Sequence, residues 1–289
     1  MDINQLELLW TQFIEKLLGD KISSNQLKVL AKQTNDSIRR IEIYQAYHTR
    51  ALQAVANNKS FKHTSNPFVL AQRPDLSLNN RIWIVYLATY FGKSNKSNWT
   101  LFDRAAFDQN QSLITFDQIK ADPDDYYRHL SSFDFFQNCT YSNHRKFIAK
   151  KLHGDKGFFK SVQYVIDHIE VYTPEDKIDF HKMYQLSQRI PNFGRLGGFD
   201  FTSSLVKCGF NIKEPESMYA EDSTGPLQGL KLLLNLTNND NSKTSQIKLS
   251  YKLVEWFQKN SQIFMIGQVL EDAICNWQKD SKNYIKYKG

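Results

Sequence analysis

Apolar side chains recur every three or four positions along most of the chain, which is the spacing that lines one face of an α-helix. On this basis helices are predicted over residues 3–17, 38–55, 157–169, 178–188, 227–236, 247–257 and 263–277. The strict alternation of apolar and polar residues that marks a half-buried strand does not occur over any convincing length. The predicted fold class is therefore all-α.

Two further segments predict helices by their composition and their ends. Residues 81–91 (RIWIVYLATYF) are apolar on every face and stop at Gly92, which is typical of a short, fully buried helix. Asp122 followed by Pro123 supplies an N-cap and a proline at the first helical position, so a helix is predicted to begin there. Loops are predicted over residues 66–80, which contain two prolines, and over the polar residues 238–245.

Length and composition leave several architectures open. The chain has 289 residues, enough for one large domain or two small ones. It holds 20 Phe, 14 Tyr and 5 Trp, so a sizeable core is available and a wholly disordered chain is excluded. We expect a single all-helical domain over residues 1–289, or alternatively two helical lobes, with a hairpin near residues 186–208. The net charge of +7 suits a nucleic-acid partner and equally an ordinary enzyme.

The cysteines and the N-terminal residues bear on compartment and cofactors. Cys139, Cys208 and Cys275 are far apart and form neither a metal-spaced pair nor an even disulfide set, so a reducing compartment is expected. The first residues lack the features of a signal peptide, and the longest apolar run is about half of the roughly 20 residues that a membrane span needs. We therefore expect a cytoplasmic protein without a membrane segment. No metal-binding histidine spacing and no glycine-rich phosphate loop occur, so neither a metal nor a cofactor is expected.

The segment 185–210 contains the most informative motif. One predicted helix ends in the turn IPNFG (residues 190–194) and the next begins near Arg195. This arrangement resembles the helix-hairpin-helix element of the DNA glycosylase superfamily, with Asn192 where that family has its first glycine. Such a turn leaves backbone N–H groups at the positive end of a helix dipole, where a phosphate oxygen binds. The residues predicted to contact DNA here are Asn192, Phe193, Gly194, Arg195 and Gly197.

The same resemblance implies a catalytic carboxylate about twenty residues beyond the hairpin, beside the sugar whose bond is cleaved. Counting from Leu196 reaches Glu216, and the other candidates are Asp222 and Asp200, the last of which lies on the hairpin's second helix. The family usually has aspartate at this point, and a loop rich in carboxylates is by default a solvated surface loop. Bifunctional members place a Schiff-base lysine where this chain has Leu196, so the resemblance implies a monofunctional enzyme that uses water.

Three stretches together resemble a particular branch of that superfamily. They are RIWIVYLATYFGKSNKSNW at residues 81–99, the hairpin with GRLGGFDF, and SMYAEDSTGPLQGLKLLL at residues 217–234. They are similar to the α-glutamyl/putrescinyl thymine pyrophosphorylase family, clade 3, and the similarity runs from about Arg39 to Leu234. Two activities are implied by this resemblance. One is replacement of a pyrophosphate on a modified thymine by an amine, and the other is excision of α-glucosylated hydroxymethylcytosine from phage DNA in antiviral defence.

The densest basic cluster of the chain lies between residues 142 and 160. Its members Arg145, Lys146 and Lys150 are predicted to contact DNA phosphates, which would add salt-dependent affinity. The alternative is the solvated face of an amphipathic helix.

A base that is extruded from the DNA stack needs a pocket with aromatic or apolar walls. Candidate walls are Trp83, Tyr86 and Tyr90, although core packing is the commoner role of such residues. Ser223 and Thr224 are candidates for hydrogen bonds to the base.

These expectations combine into one hypothesis with two alternatives. The chain is expected to be a monomeric, cofactor-free DNA glycosylase that flips a modified base out of double-stranded DNA and leaves an abasic site. The first alternative is the transferase that exchanges pyrophosphate for an amine. The second is a non-catalytic module that binds modified DNA, and it predicts that carboxylate substitutions leave binding intact.

Overall fold

A computed structural model describes residues 1–62, 66–145, 147–173 and 175–286. Within these residues the chain forms thirteen α-helices and no strand, so the predicted all-α class is confirmed. The helices are α1 Ile3–Phe13, α2 Ser24–Ala56, α3 Pro67–Leu70, α4 Leu78–Phe91, α5 Thr100–Ala106, α6 Phe116–Ala121, α7 Pro123–Ser131, α8 Phe158–His168, α9 Phe180–Gln188, α10 Gly194–Lys207, α11 Gly225–Leu236, α12 Lys243–Asn260 and α13 Ile266–Trp277.

The two helices predicted from their composition and ends are confirmed. Helix α4 is buried at every position from Ile82 to Phe91 and ends at Gly92, whose φ of 63° lies in the left-handed region that favours glycine. Helix α7 begins after Asp122, whose carboxylate accepts a hydrogen bond from the backbone N–H of Asp125 at 2.9 Å. These ends therefore follow from capping chemistry that is visible in the sequence.

Several predicted boundaries are wrong, and polar residues explain each error. Helix α2 begins at Ser24 rather than near residue 38, because buried positions in its first half are polar and break the apolar pattern. The predicted loop 66–80 contains helix α3, which the side chain of Asn66 caps through the N–H of Phe68 at 2.9 Å. The polar stretch 238–245 runs into helix α12, because Ser242 caps the N–H of Ser245.

The residue contacts divide the chain into two compact units, of which the first comprises Met1–Ile43 and Glu214–Gly289. In this unit α11 packs against α12 and α13, and α1 packs against α12. Trp10 anchors its core: the ring lies 4.9 Å from that of Phe257, and the indole N–H donates to Thr34 Oγ1 at 3.0 Å. Helices α11 and α13 approach closely at Gly229, where a Cβ atom would lie 2.5 Å from the carbonyl oxygen of Ile274.

The second unit comprises residues Tyr44–Lys213 and is built around helix α4. Helices α3, α5, α6 and α10 all pack against α4, and α9 packs against α10. Aromatic rings fill the space around the second half of α4, with Tyr90 and Phe91 each 4.9 Å from Phe158. This aromatic core also holds the turn between α9 and α10.

No helix among the described residues has both the length and the apolar character that crossing a bilayer requires.

Candidate functional site

The chain between helices α9 and α10 makes the tight turn that the sequence predicted. Asn192 has a φ of 70° and Gly194 a φ of 53°, so both adopt the left-handed conformation. The N–H of Phe193 donates to Ile190 O at 3.0 Å, and the N–H of Gly197 makes the first intrahelical bond of α10, to Phe193 O at 2.9 Å. The N–H groups at the start of α10 therefore lack an intrahelical acceptor.

Buried aromatic side chains on the interior side of this turn hold it in place. Phe193 is only 1% exposed and lies 5.8 Å from the ring of Tyr86 and 5.7 Å from that of Phe201. The side-chain amide of Asn192 donates to the hydroxyl of Tyr90 at 3.0 Å and to Lys156 O at 3.3 Å. The Phe193 side chain, predicted to contact DNA, thus anchors the turn in the core, and the exposed residue of the turn is Gly194.

Two glycines in the first turn of α10 allow this close packing. A Cβ atom on Gly197 would lie 2.7 Å from Phe193 Cβ, and one on Gly198 would lie 2.9 Å from Gln188 Cγ. Gly197, predicted to contact DNA, is buried and serves the packing of the turn instead. By contrast, the space around Gly194 is open: no atom lies within 4 Å of where its Cβ would be. Arg195 follows in the same turn and is half-buried.

The basic cluster has a different arrangement from the predicted one. Arg145 is 2% exposed; its Nε donates to Thr89 O at 2.9 Å, and a terminal guanidinium nitrogen lies 2.8 Å from Asp200 Oδ2. It therefore ties the loop to α4 and α10 and is not available to a phosphate, which corrects the prediction. Lys150 is exposed and donates to Cys139 O at 2.7 Å. Lys146 lies outside the described residues.

The ion pair with Arg145 also defines the surroundings of Asp200, one of the three candidate catalytic carboxylates. The Asp200 side chain is 29% exposed, whereas that of Arg145 is 3% exposed. Asp200 is thus a half-buried carboxylate that compensates a buried cation, and breaking a pair of this kind is costly because a buried charge remains.

The predicted walls of the base pocket lie in the core. Trp83, Tyr86 and Tyr90 are at most 1% exposed, and Tyr86 donates a hydrogen bond to Ser161 Oγ at 2.8 Å. Burial raises the pKa of Tyr86 and of Tyr90 well above that of a free tyrosine. These side chains are core residues, the role that sequence reasoning favours for them, and their contact with an extruded base stays a prediction.

Two cavities in the second unit offer space for a ligand. The larger, about 490 Å³, has a polar lining that includes Gln109, Gln118 and Asp125, and the smaller measures about 330 Å³. Both volumes are within the range of small-molecule pockets, and Asp108, Gln109 and His129 line both. None of the predicted site residues lines either of these two cavities.

The other two candidate carboxylates lie in the first unit, on the segment before α11. Glu216 is exposed and has no hydrogen-bond or ion-pair partner among the described residues. Its neighbour Ser217 is 1% exposed, and a Cβ atom on Gly267 would lie 2.6 Å from Ser217 O, so the backbone beneath Glu216 is tightly packed. Asp222 is 80% exposed and lies 3.6 Å from the ammonium group of Lys243.

The two candidate base contacts next to Asp222 differ from each other. Ser223 is 5% exposed and its hydroxyl donates to Ala220 O at 2.8 Å, so it stabilises the local turn. Thr224 is exposed at the N-terminus of α11, where its side chain makes no capping hydrogen bond. Of the two residues, only Thr224 is exposed to solvent.

A comparison with protein families gives a match. A family model described as alpha-glutamyl/putrescinyl thymine pyrophosphorylase clade 3 matches residues 25–289. This range includes the α9–α10 turn and the acidic segment that contains Glu216. No curated protein and no solved structure matches the chain significantly. The family's description implies an enzyme that acts on a modified base in DNA.

Proposed function

Because the chain belongs to the alpha-glutamyl/putrescinyl thymine pyrophosphorylase clade 3 family, we propose that it is a monofunctional DNA glycosylase. It excises a modified base from phage DNA in antiviral defence and leaves an abasic site, and the first candidate base is α-glucosylated hydroxymethylcytosine. The observation that carries this proposal is the tight turn at Asn192–Gly194, which opens helix α10 with exposed backbone at the positive end of its dipole.

The turn is suited to a DNA phosphate for two reasons. The open space around Gly194 lets a phosphate approach the backbone closely. The buried ring of Phe193 and the hydrogen bonds of Asn192 hold the N–H groups in place before DNA arrives, so little ordering is required on binding. Contacts of this kind fix the position of the enzyme on the duplex and carry no sequence information.

Glu216 is the carboxylate that we assign to the reaction. When the bond between C1′ and the base breaks, positive charge develops on the sugar, and an anion without a competing partner stabilises it best. Glu216 meets this condition on a well-packed backbone, whereas Asp222 lies beside Lys243 and Asp200 compensates Arg145. Water then bonds to C1′ while the bond from C1′ to the base breaks. The base leaves with the bonding electron pair and takes up the proton that the water loses.

The first turn of α10 also supports a monofunctional reaction. Leu196 has no amine that would attack C1′ in place of water, so no Schiff base forms at this position. The proposal therefore predicts an intact abasic site and no accompanying strand cleavage.

The test uses purified protein and genomic DNA from phages that carry unmodified, hydroxymethylated or α-glucosylated cytosine. Released bases are quantified by mass spectrometry, and abasic sites by strand cleavage with alkali. Glu216→Gln is compared with the matched variant Asp222→Asn, which removes another exposed carboxylate from the same segment. We expect base release from glucosylated DNA alone, lost in Glu216→Gln and retained in Asp222→Asn. DNA binding without base release from any substrate would refute the glycosylase and favour a reader of modified DNA.

The family's description favours a second candidate, a transferase acting on modified thymine. In that reaction the bond from the base to pyrophosphate breaks, a bond to the amine nitrogen forms, and the amine loses a proton to solvent. Incubation with DNA that carries pyrophosphorylated thymine, with putrescine or glutamate as the amine, distinguishes the two. Amine-dependent release of pyrophosphate with the glycosidic bond intact would establish the transferase and refute the glycosylase.

A further inference from the structure

Phe147 is an exposed aromatic side chain on the loop that follows the 3₁₀ turn Asn143–Arg145. It is 63% exposed, although a phenylalanine ring gains substantially from burial. Single exposed apolar residues are common on protein surfaces, so exposure alone assigns no role. The role follows from how the loop is held and from what surrounds it.

Buried residues fix the backbone close to Phe147 on both sides. Arg145, two positions before it, is tied to Thr89 O and to Asp200. Ile148, directly after it, is 4% exposed, and its N–H donates to Arg145 O at 2.9 Å. The chain thus places an aromatic ring on the surface of an anchored loop, although a polar residue at this position would expose less apolar surface to water.

The same loop adjoins the turn that we assign to phosphate binding. Asp200, the partner of Arg145, belongs to helix α10, and Lys156 O accepts a hydrogen bond from Asn192 in the turn. Beyond Arg145, whose charge Asp200 compensates, residues 147–160 contain four lysines and a single acidic residue. Lys150, Lys151 and Lys156 are exposed.

We propose that Phe147 is the wedge that enters the base stack of DNA when the target nucleotide is extruded. This inference rests on the proposed action on duplex DNA. An extruded nucleotide leaves a gap between its neighbours, and an apolar ring that fills the gap offsets part of the lost stacking. The lysines around Phe147 bind the phosphates and bring the ring to the groove.

The experiment measures binding to a short duplex that contains one tetrahydrofuran abasic-site analogue, in which the gap already exists. Base–aromatic stacking predicts that Phe147→Ala weakens this binding about 5- to 150-fold. Phe147→Leu, which keeps an apolar wedge, is expected to retain most of the affinity. Leu8→Ala is the control, since Leu8 is also an exposed apolar residue (57%) and belongs to helix α1; its affinity should equal that of the unchanged protein.

The salt dependence of the DNA affinity distinguishes the loss of a stacking ring from the loss of phosphate contacts. Phe147→Ala should leave the slope of log K against log [salt] unchanged, whereas Lys151→Ala should reduce it by about one. Because Phe147 is exposed, its variants should keep the thermal midpoint of the unchanged protein. Equal affinity of Phe147→Ala and the unchanged protein for the abasic duplex would overturn the inference.

The outcome is independent of whether base release is found. If no base is released from any DNA but abasic-duplex affinity depends on Phe147, the glycosylase proposal fails and the wedge stands. If base is released and neither release nor affinity changes in Phe147→Ala, the wedge fails and the glycosylase stands.

Discussion

The ion pair of Arg145 and Asp200 allows a stability prediction that also tests the assignment of the catalytic carboxylate. Asp200→Ala leaves the guanidinium of Arg145, which is 3% exposed, without its anion, and removing one partner of a buried pair costs about 3–5 kcal/mol. Asp200 itself is 29% exposed, so the pair is partly screened and we expect the lower end, about 3 kcal/mol. Arg145→Met should cost less, about 2 kcal/mol, because the remaining carboxylate reaches water.

The losses of unfolding free energy in Asp200→Ala and Arg145→Met should not be additive. Once Arg145 is gone, Asp200 has no buried cation to compensate, so the double variant should be more stable than the sum of the single losses by about 1–3 kcal/mol. Urea unfolding, monitored by circular dichroism, gives the unfolding free energies of the unchanged protein, the two single variants and the double variant. Base release per folded molecule is measured alongside on glucosylated phage DNA.

Two results would refute this reasoning. If each single variant lies within about 0.5 kcal/mol of the unchanged protein, the pair has no structural role. If Asp200→Ala keeps its stability but loses base release, Asp200 is the reacting carboxylate and Glu216 is not.

Three further predictions concern the hairpin and the aromatic core. Gly198→Ala should lower the unfolding free energy by about 1–3 kcal/mol, because its Cβ would lie 2.9 Å from Gln188 Cγ; an unchanged urea midpoint would contradict this. Asn192→Gly should be more stable than Asn192→Ala by about 1 kcal/mol in the same assay, since both lose the hydrogen bond to Tyr90 but only glycine adopts a φ of 70° freely; equal stability would refute the strain argument. Burial raises the pKa of Tyr90 and of Tyr86, so above about pH 10 the unfolded chain loses protons that the folded chain keeps, and stability should fall as the pH rises. Urea midpoints that stay constant between about pH 8 and pH 11 would contradict that sign.

Local chemistry was enough to predict several helix ends and the turn between α9 and α10. The cap at Asp122, the stop at Gly92 and the positive φ of Asn192 all follow from residue types whose conformational preferences are strong. The first half of α2 could not be predicted, because Gln33 and Thr34 are buried polar residues, 2% and 0% exposed, that hide the helical period. Their burial depends on contacts far along the chain.

The environment of the candidate site could not be predicted from spacing. Arg145 belongs to a basic cluster in the sequence, yet its contacts with Thr89 and Asp200 come from two different helices. Residue type favours the core for Trp83 and Tyr86 but also allows a pocket, and packing shows that they are core residues. A basic residue with an acidic partner distant in sequence gives no local signal.

The choice among the carboxylates shows the same limit. Counting residues from the hairpin reaches Glu216, but Asp222 follows on the same acidic segment, so spacing leaves both as candidates. The structure separates them: Asp222 lies 3.6 Å from Lys243, whereas Glu216 is an exposed anion above a packed backbone. This difference in partners supports our proposal that Glu216 is the reacting carboxylate.

The central claim is that this chain breaks the glycosidic bond of a modified base with the carboxylate of Glu216. The most direct measurement is the amount of free base released from α-glucosylated phage DNA by the unchanged protein and by Glu216→Gln, with both shown to bind that DNA equally. The account predicts release by the unchanged protein and a loss of at least about 100-fold in the variant, since electrostatic stabilisation of the transition state is the effect removed. Equal release by both proteins, or none from either, would contradict it.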